Sequence, residues 1–101
     1  MIKWHTVKNL GGKTVFYKSD VKQDKEQIDG LMGNDIPKYV VIKEDGTWTA
    51  REFRFAGDYL KSKGYIDDVN TIYQNYKSIW SGCKTAKEAK EICQEHESES
   101  L

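Results

Sequence analysis

An α+β domain is what this sequence predicts: two β-hairpins forming a four-stranded, mostly antiparallel sheet, with three to four helices packed mainly on one face. Three observations lead there. Two pairs of apolar and aromatic runs are each joined by a glycine turn; apolar side chains recur at helical spacing over residues 67–80; and a capping box opens a last amphipathic run at Thr85. The 101 residues suit one domain, since a chain of that length buries about 65% of its unfolded surface without metal or disulfide staples. That domain is predicted over residues 1–97, with a frayed tail over 98–101.

The first hairpin spans residues 2–10 and 13–18 across Gly11-Gly12, a pair that supplies the positive φ angles of a two-residue turn. This loop sets Val7 opposite Phe16 and Thr6 opposite Tyr17. Trp4, Thr6, Val15 and Tyr17 then share one side and Val7 and Phe16 the other. Ser19-Asp20 with Gln23 resembles a capping box, so a short helix is predicted over residues 21–31. Met32 to Pro37 is turn chemistry, and the proline there commonly precedes a strand.

The second hairpin spans residues 38–43 and 47–55. A three-residue loop, Glu44-Asp45-Gly46 with Gly46 left-handed, would pair Ile42 with Trp48 and Val40 with Ala50. Those four residues are then expected on the core side, leaving Tyr39, Val41, Thr49, Arg51 and Phe53 on the outer face.

Asp58 can cap a short helix through residue 63, which Gly64 closes. The main helix is predicted over residues 67–80. Val69, Ile72, Tyr73, Tyr76, Ile79 and Trp80 form its inner stripe, Asp67 is its cap and Ser81-Gly82 its stop. Thr85 with Glu88 opens the last helix, over residues 86–97, whose inner edge is Ala86, Ala89, Ile92, Cys93 and His96.

Sixteen basic and sixteen acidic residues cancel, which excludes a polycation aimed at nucleic acid as a whole. The charges are uneven along the chain: Lys3, Lys8, Lys13 and Lys18 stand without an acid in the first hairpin, whereas the last helix is rich in Glu. Gly11-Gly12-Lys13-Thr14 is no phosphate loop, because Val7 stands where the motif needs glycine and the segment reads strand, turn, strand. The segment ending in Asp67-Asp68 resembles helix, turn, helix, but two aspartates at the start of the second helix repel DNA. Cys93 and His96 have metal-ligand spacing without a second pair, so neither metal nor cofactor is expected. His5 and His96 lie at opposite ends of the chain and neither belongs to a nucleophile motif, so the chain is not read as an enzyme. Two cysteines fit a reducing compartment; with no apolar run of membrane-span length and no secretory signal at the start, the location expected is cytoplasmic.

What stands out is the surplus of rings: six Tyr, three Trp and three Phe exceed what a small core hides, and Tyr, Trp and Arg are favoured interface anchors. The predicted partner patch is Tyr39, Arg51, Phe53 and Arg54 on the outer sheet face, together with Trp4 and Tyr17. The alternative is a single-stranded nucleic-acid or nucleotide binder, in which Lys8, Lys13 and Lys18 meet phosphates while Phe16, beside Trp4 and Tyr17, stacks on bases. A homo-oligomer joined through edge strands is a third class.

In style, the stretch Tyr39-Val40-Val41-Ile42-Lys43-Glu44-Asp45-Gly46-Thr47-Trp48 and the closing Thr85-Ala86-Lys87-Glu88-Ala89-Lys90 resemble the small, Lys/Glu-rich accessory proteins encoded by bacteriophages, which include anti-CRISPR and other anti-defence inhibitors. The resemblance implies stoichiometric binding to a host or defence protein, or sequestration of a small signal molecule. It transfers no functional residue.

Overall fold

The fold is that of a computed structural model, which describes residues 1–8, 15–22, 36–54, 72–73 and 75–99. Among these residues the chain forms five strands, β1 (Trp4–Lys8), β2 (Val15–Ser19), β3 (Tyr39–Glu44), β4 (Thr47–Phe53) and β5 (Tyr76–Cys83), followed by a helix, α1 (Ala86–Glu99). The strands lie in chain order, each antiparallel to the next. The α+β class stands, but the sheet has a fifth strand beyond the four expected, and α1 is the one full helix among the described residues against the three to four expected.

The first hairpin has the predicted register, with Val7 opposite Phe16 and Thr6 opposite Tyr17. Its Gly11-Gly12 turn lies outside the described residues, as do most of the predicted helix over 21–31 and all of that over 58–63. Lys22 at the start of the former makes an isolated bridge to Pro37.

The β3–β4 turn corrects the predicted register. Asp45 and Gly46 both have positive φ, 52° and 82°, so the loop has two residues and Glu44 pairs with Thr47. Such a turn carries the twist of the flanking strands, and Asp tolerates the left-handed region better than most residues. The one-residue slip sets Val40 opposite Arg51 and divides the side chains differently from the prediction. Phe16, Val40, Ile42, Phe53 and Tyr76 pack on one side with Ile36 and Ile72. On the other, Ile2, Tyr39, Val41, Ala50 and Cys83 pack under Ala89 and Cys93 of α1. The central strand is therefore buried on both faces, and Tyr39 to Ile42 are all wholly buried.

The helix predicted over 67–80 is the second correction. Ile72, Tyr73 and Asn75 are helical, but Tyr76 opens β5; residues 67–71 and 74 lie outside the described residues. Tyr76 pairs with Phe53, stacks edge-on against it at 5.4 Å, and donates its hydroxyl to the Pro37 carbonyl at 2.5 Å. These long-range partners override the local helical spacing. Two irregularities in the β4–β5 ladder leave Ile79 without an opposite residue. Ile79 packs with the cluster under α1, whereas Trp80 is 61% exposed.

The last helix forms as predicted and runs past residue 97 to Glu99. Thr85 Oγ1 accepts the Glu88 amide at 3.2 Å, which the first turn would otherwise leave open, and the Glu88 carboxylate takes the Lys84 amide at 3.3 Å, tying down the residue before the cap. The small side chains at Ala89 and Cys93, both 0% exposed, let α1 lie close on the sheet.

Candidate functional site

The segment before β1 is tied down at both ends of its short run. The Ile2 amide donates to Gln94 Oε1 at 2.6 Å, and Lys3 and Asp20 exchange hydrogen bonds at 2.9 Å, the Lys3 amide to Asp20 Oδ1 and the Asp20 amide to the Lys3 carbonyl. Ile2 is thereby drawn under α1, and Trp4 is left half-buried at the border of helix and sheet. Between them runs an open groove of about 320 Å³, lined by Met1, Ile2 and Trp4 on one side and by Lys87, Lys90, Glu91 and Gln94 of α1 on the other.

Further half-buried rings adjoin the Trp4 side of α1. Tyr17 and Trp48 lie 5.7 Å apart and tilted by 40°, and the Lys90 ammonium sits 3.7 Å from the centre of the Tyr17 ring. That cation–π contact is the one polar interaction of Lys90 among the described residues. Among the described residues neither Lys87 nor Lys90 has a carboxylate within salt-bridge distance. A half-buried ammonium facing a ring and an apolar trough is suited to an incoming anion beside an apolar side chain.

The other flank of α1 carries a polar network. Tyr39 is wholly buried beneath the helix, and its hydroxyl lies 3.1 Å from Glu97 Oε1 and 3.0 Å from His96 Nδ1. Lys38 Nζ holds the same Glu97 oxygen at 2.7 Å, and His96 Nδ1 is 3.2 Å from Glu52 Oε2. A carboxylate only accepts, so Tyr39 donates its single proton to Glu97, and His96 Nδ1 must carry a hydrogen shared between Tyr39 Oη and Glu52. Beside this network a cavity of about 240 Å³ is lined by Glu52, Arg54, Lys77, Ser78, Ile79 and His96. Its charges largely neutralise one another, which marks the network as a clamp between helix and sheet.

Burial, then the bond to Glu97, raises the ionisation of Tyr39 far above the ordinary tyrosine range. Burial likewise pushes the Cys93 thiol up to about 12, and burial raises Cys83. Unfolding releases these groups to ionise near pH 9 to 10, so the stability they confer is complete below that range and falls progressively as pH rises above it, the Cys93 share until about pH 12 and the Tyr39 share beyond. Tyr39→Phe should therefore flatten the alkaline limb of a urea-midpoint-against-pH curve by about one proton, at a neutral-pH cost of about 1–2 kcal/mol. An unchanged alkaline limb would show that Tyr39 does not hold its proton through the helix clamp.

The predicted patch is scattered. Trp4 and Tyr17 adjoin the groove. Tyr39, expected on the outer face, is buried under α1, while Arg51 and Phe53 are on the opposite side of the sheet. Phe53 is 4% exposed and packed on Tyr76. The Arg51 guanidinium donates to both oxygens of Glu44, at 3.1 and 2.9 Å, and to the Tyr76 carbonyl at 2.7 Å, while covering the Tyr73 ring at 5.0 Å. Arg51 is thus a bracket across β3, β4 and β5. Arg54 is exposed just beyond β4, 3.5 Å from Glu52.

The nucleic-acid alternative loses its added ring, because Phe16 is wholly buried and offers no face to a base. Lys8 is exposed at the end of β1, Lys18 is half-buried, and Lys13 lies outside the described residues. Trp48, Lys87, Lys90 and Gln94 were missed by the sequence reading. The signal for the last three was present: positions 87, 90 and 94 follow one flank of the predicted helix, beside the buried stripe.

Comparison with protein-family models, curated proteins and solved structures finds no match. Among the described residues no helix is long and apolar enough to cross a membrane.

Proposed function

We propose that this chain is a non-enzymatic binding protein whose partner, another protein, docks on the groove between β1 and α1 and on the rings beside it. The observation that supports this reading most directly is Lys90. It is half-buried, set over Tyr17 and, among the described residues, unmatched by any carboxylate, at the rim of an apolar trough that Ile2 and Trp4 line. Interfaces favour such an arrangement of aromatic anchors with a charged rim. In the narrower form that the phage-type resemblance implies, docking inhibits a host or defence factor by occupying it stoichiometrically.

The test is affinity capture with the intact protein, the Lys87→Glu/Lys90→Glu double variant and Trp4→Ser. The double variant should keep the native circular dichroism spectrum and melting temperature within a few degrees, because exposed or half-exposed charges contribute little to stability. Both variants should lose the captured partner. Capture undiminished by either would remove the groove as the binding surface and this reading with it.

A further inference from the structure

Resting on the binding reading above, we propose that the groove's occupant is an extended, acidic segment of the partner, added as a strand along the outer edge of β1. Alternate apolar side chains of that segment enter the groove against α1.

The two edges of the sheet are not equivalent. β5 is irregular at two points and carries Gly82 at φ 80°, so its outer amides and carbonyls do not keep the even spacing that a further strand needs. β1 pairs with β2 without interruption from Trp4↔Ser19 to Lys8↔Val15, which leaves its other edge regular. Among the described residues nothing pairs with that edge. An added strand offers main-chain hydrogen bonds there, and its side chains alternate between the two faces of the sheet.

Charge selects what can be added. Lys3 and Lys8 are exposed along β1 and its approach, and Lys87 and Lys90 stand across the groove. Against them the near surface sets Glu91 of α1 and Asp20, whose carboxylate is already bonded to the Lys3 amide. Lysines on an edge deter pairing with a second basic edge, and the same lysines favour an acidic strand. The groove between Trp4 and α1 accepts an apolar side chain from that strand at the point where Lys90 can meet a neighbouring carboxylate. The combination read from the surface is acidic and apolar residues in alternation, over a length of about five to seven residues.

The probe is a display library of random peptides of about nine residues, selected on the immobilised full chain and followed by amide hydrogen exchange with the enriched peptides. Enrichment of Asp and Glu alternating with Leu, Ile, Val or Phe is expected, with protection of outward-facing amides of β1 and none of β5. Lys87→Glu/Lys90→Glu should weaken the enriched peptides about tenfold or more. Raised salt should also weaken them. Enrichment of basic or neutral sequences, protection at β5, equal affinity for the double variant, or no enrichment would each overturn the proposal. So would competition by a single-stranded oligonucleotide stronger than that by the selected peptides. If the peptides fail while partner capture still depends on Lys87, Lys90 and Trp4, the binding reading survives and the strand-addition mode does not. If capture is independent of those residues, the binding reading itself has failed.

Discussion

Phe16→Ala is expected to lower stability by about 3–5 kcal/mol, a large fraction of what holds a domain of this size together. The Phe16 side chain is 0% exposed and packs with Val40, Ile42, Phe53, Ile72 and Tyr76 on the side of the sheet away from α1. Truncation removes the ring from water-free contact and leaves a cavity, and the central strands, already hydrogen-bonded on both sides, relax little to fill it. Urea unfolding at neutral pH measures the loss. A ring that served to stack on nucleic acid would behave in the opposite way, with stability nearly unchanged and oligonucleotide affinity reduced. A loss below about 1 kcal/mol would contradict the packing described for this side of the sheet.

Ala89→Asp is expected to undock α1. Ala89 is 0% exposed where the helix rests on the sheet, in one cluster with Tyr39, Val41, Ala50, Cys83 and Cys93. A carboxylate placed there has no cation among its neighbours in that cluster, and burying it unpaired costs several kcal/mol. The helix then swings away, exposing the apolar side of β3 and β4 together with the hydroxyl of Tyr39. Circular dichroism should show lost helicity, and binding of a hydrophobic dye should rise. Ala89→Ser, of similar size, is the control, with an expected loss of about 1 kcal/mol. Full retention of structure in Ala89→Asp would mean that α1 is not held against the sheet at this residue.

Much of the candidate surface was only half legible. Trp4 and Tyr17 were identified because a hairpin with a two-residue turn fixes which residues share a side, and both carry rings on the same one. Arg51 and Phe53 were misplaced by one cause: a three-residue loop Glu44-Asp45-Gly46 slips β4 by one residue against β3, and a slip of one exchanges every β4 side chain between faces, whereas Tyr39 keeps its place beside Val41 and is buried because α1 covers that face. Lys90 became meaningful only when α1 lay beside Tyr17, a contact between residues far apart in the chain. The helical stripe ending at Trp80 misled for a related reason. Tyr76, Ile79 and Trp80 fit the spacing of a helix, yet the same residues fit an irregular strand once β4 is there to pair with.

Taken alone, the order of residues determined the α+β class, the register of the first hairpin, and the start of the last helix with its Thr85–Glu88 cap. Each of these rests on interactions within a few residues, where turn chemistry, side-chain alternation and capping geometry act without reference to distant chain. The tertiary structure decided that Tyr76 to Cys83 is a strand, that Tyr39 and Phe53 are buried on opposite faces, and that Lys90 overlooks an apolar groove. Those outcomes depend on which surfaces meet across long chain separations, and burial against a remote partner outweighs the small local preferences that a sequence displays.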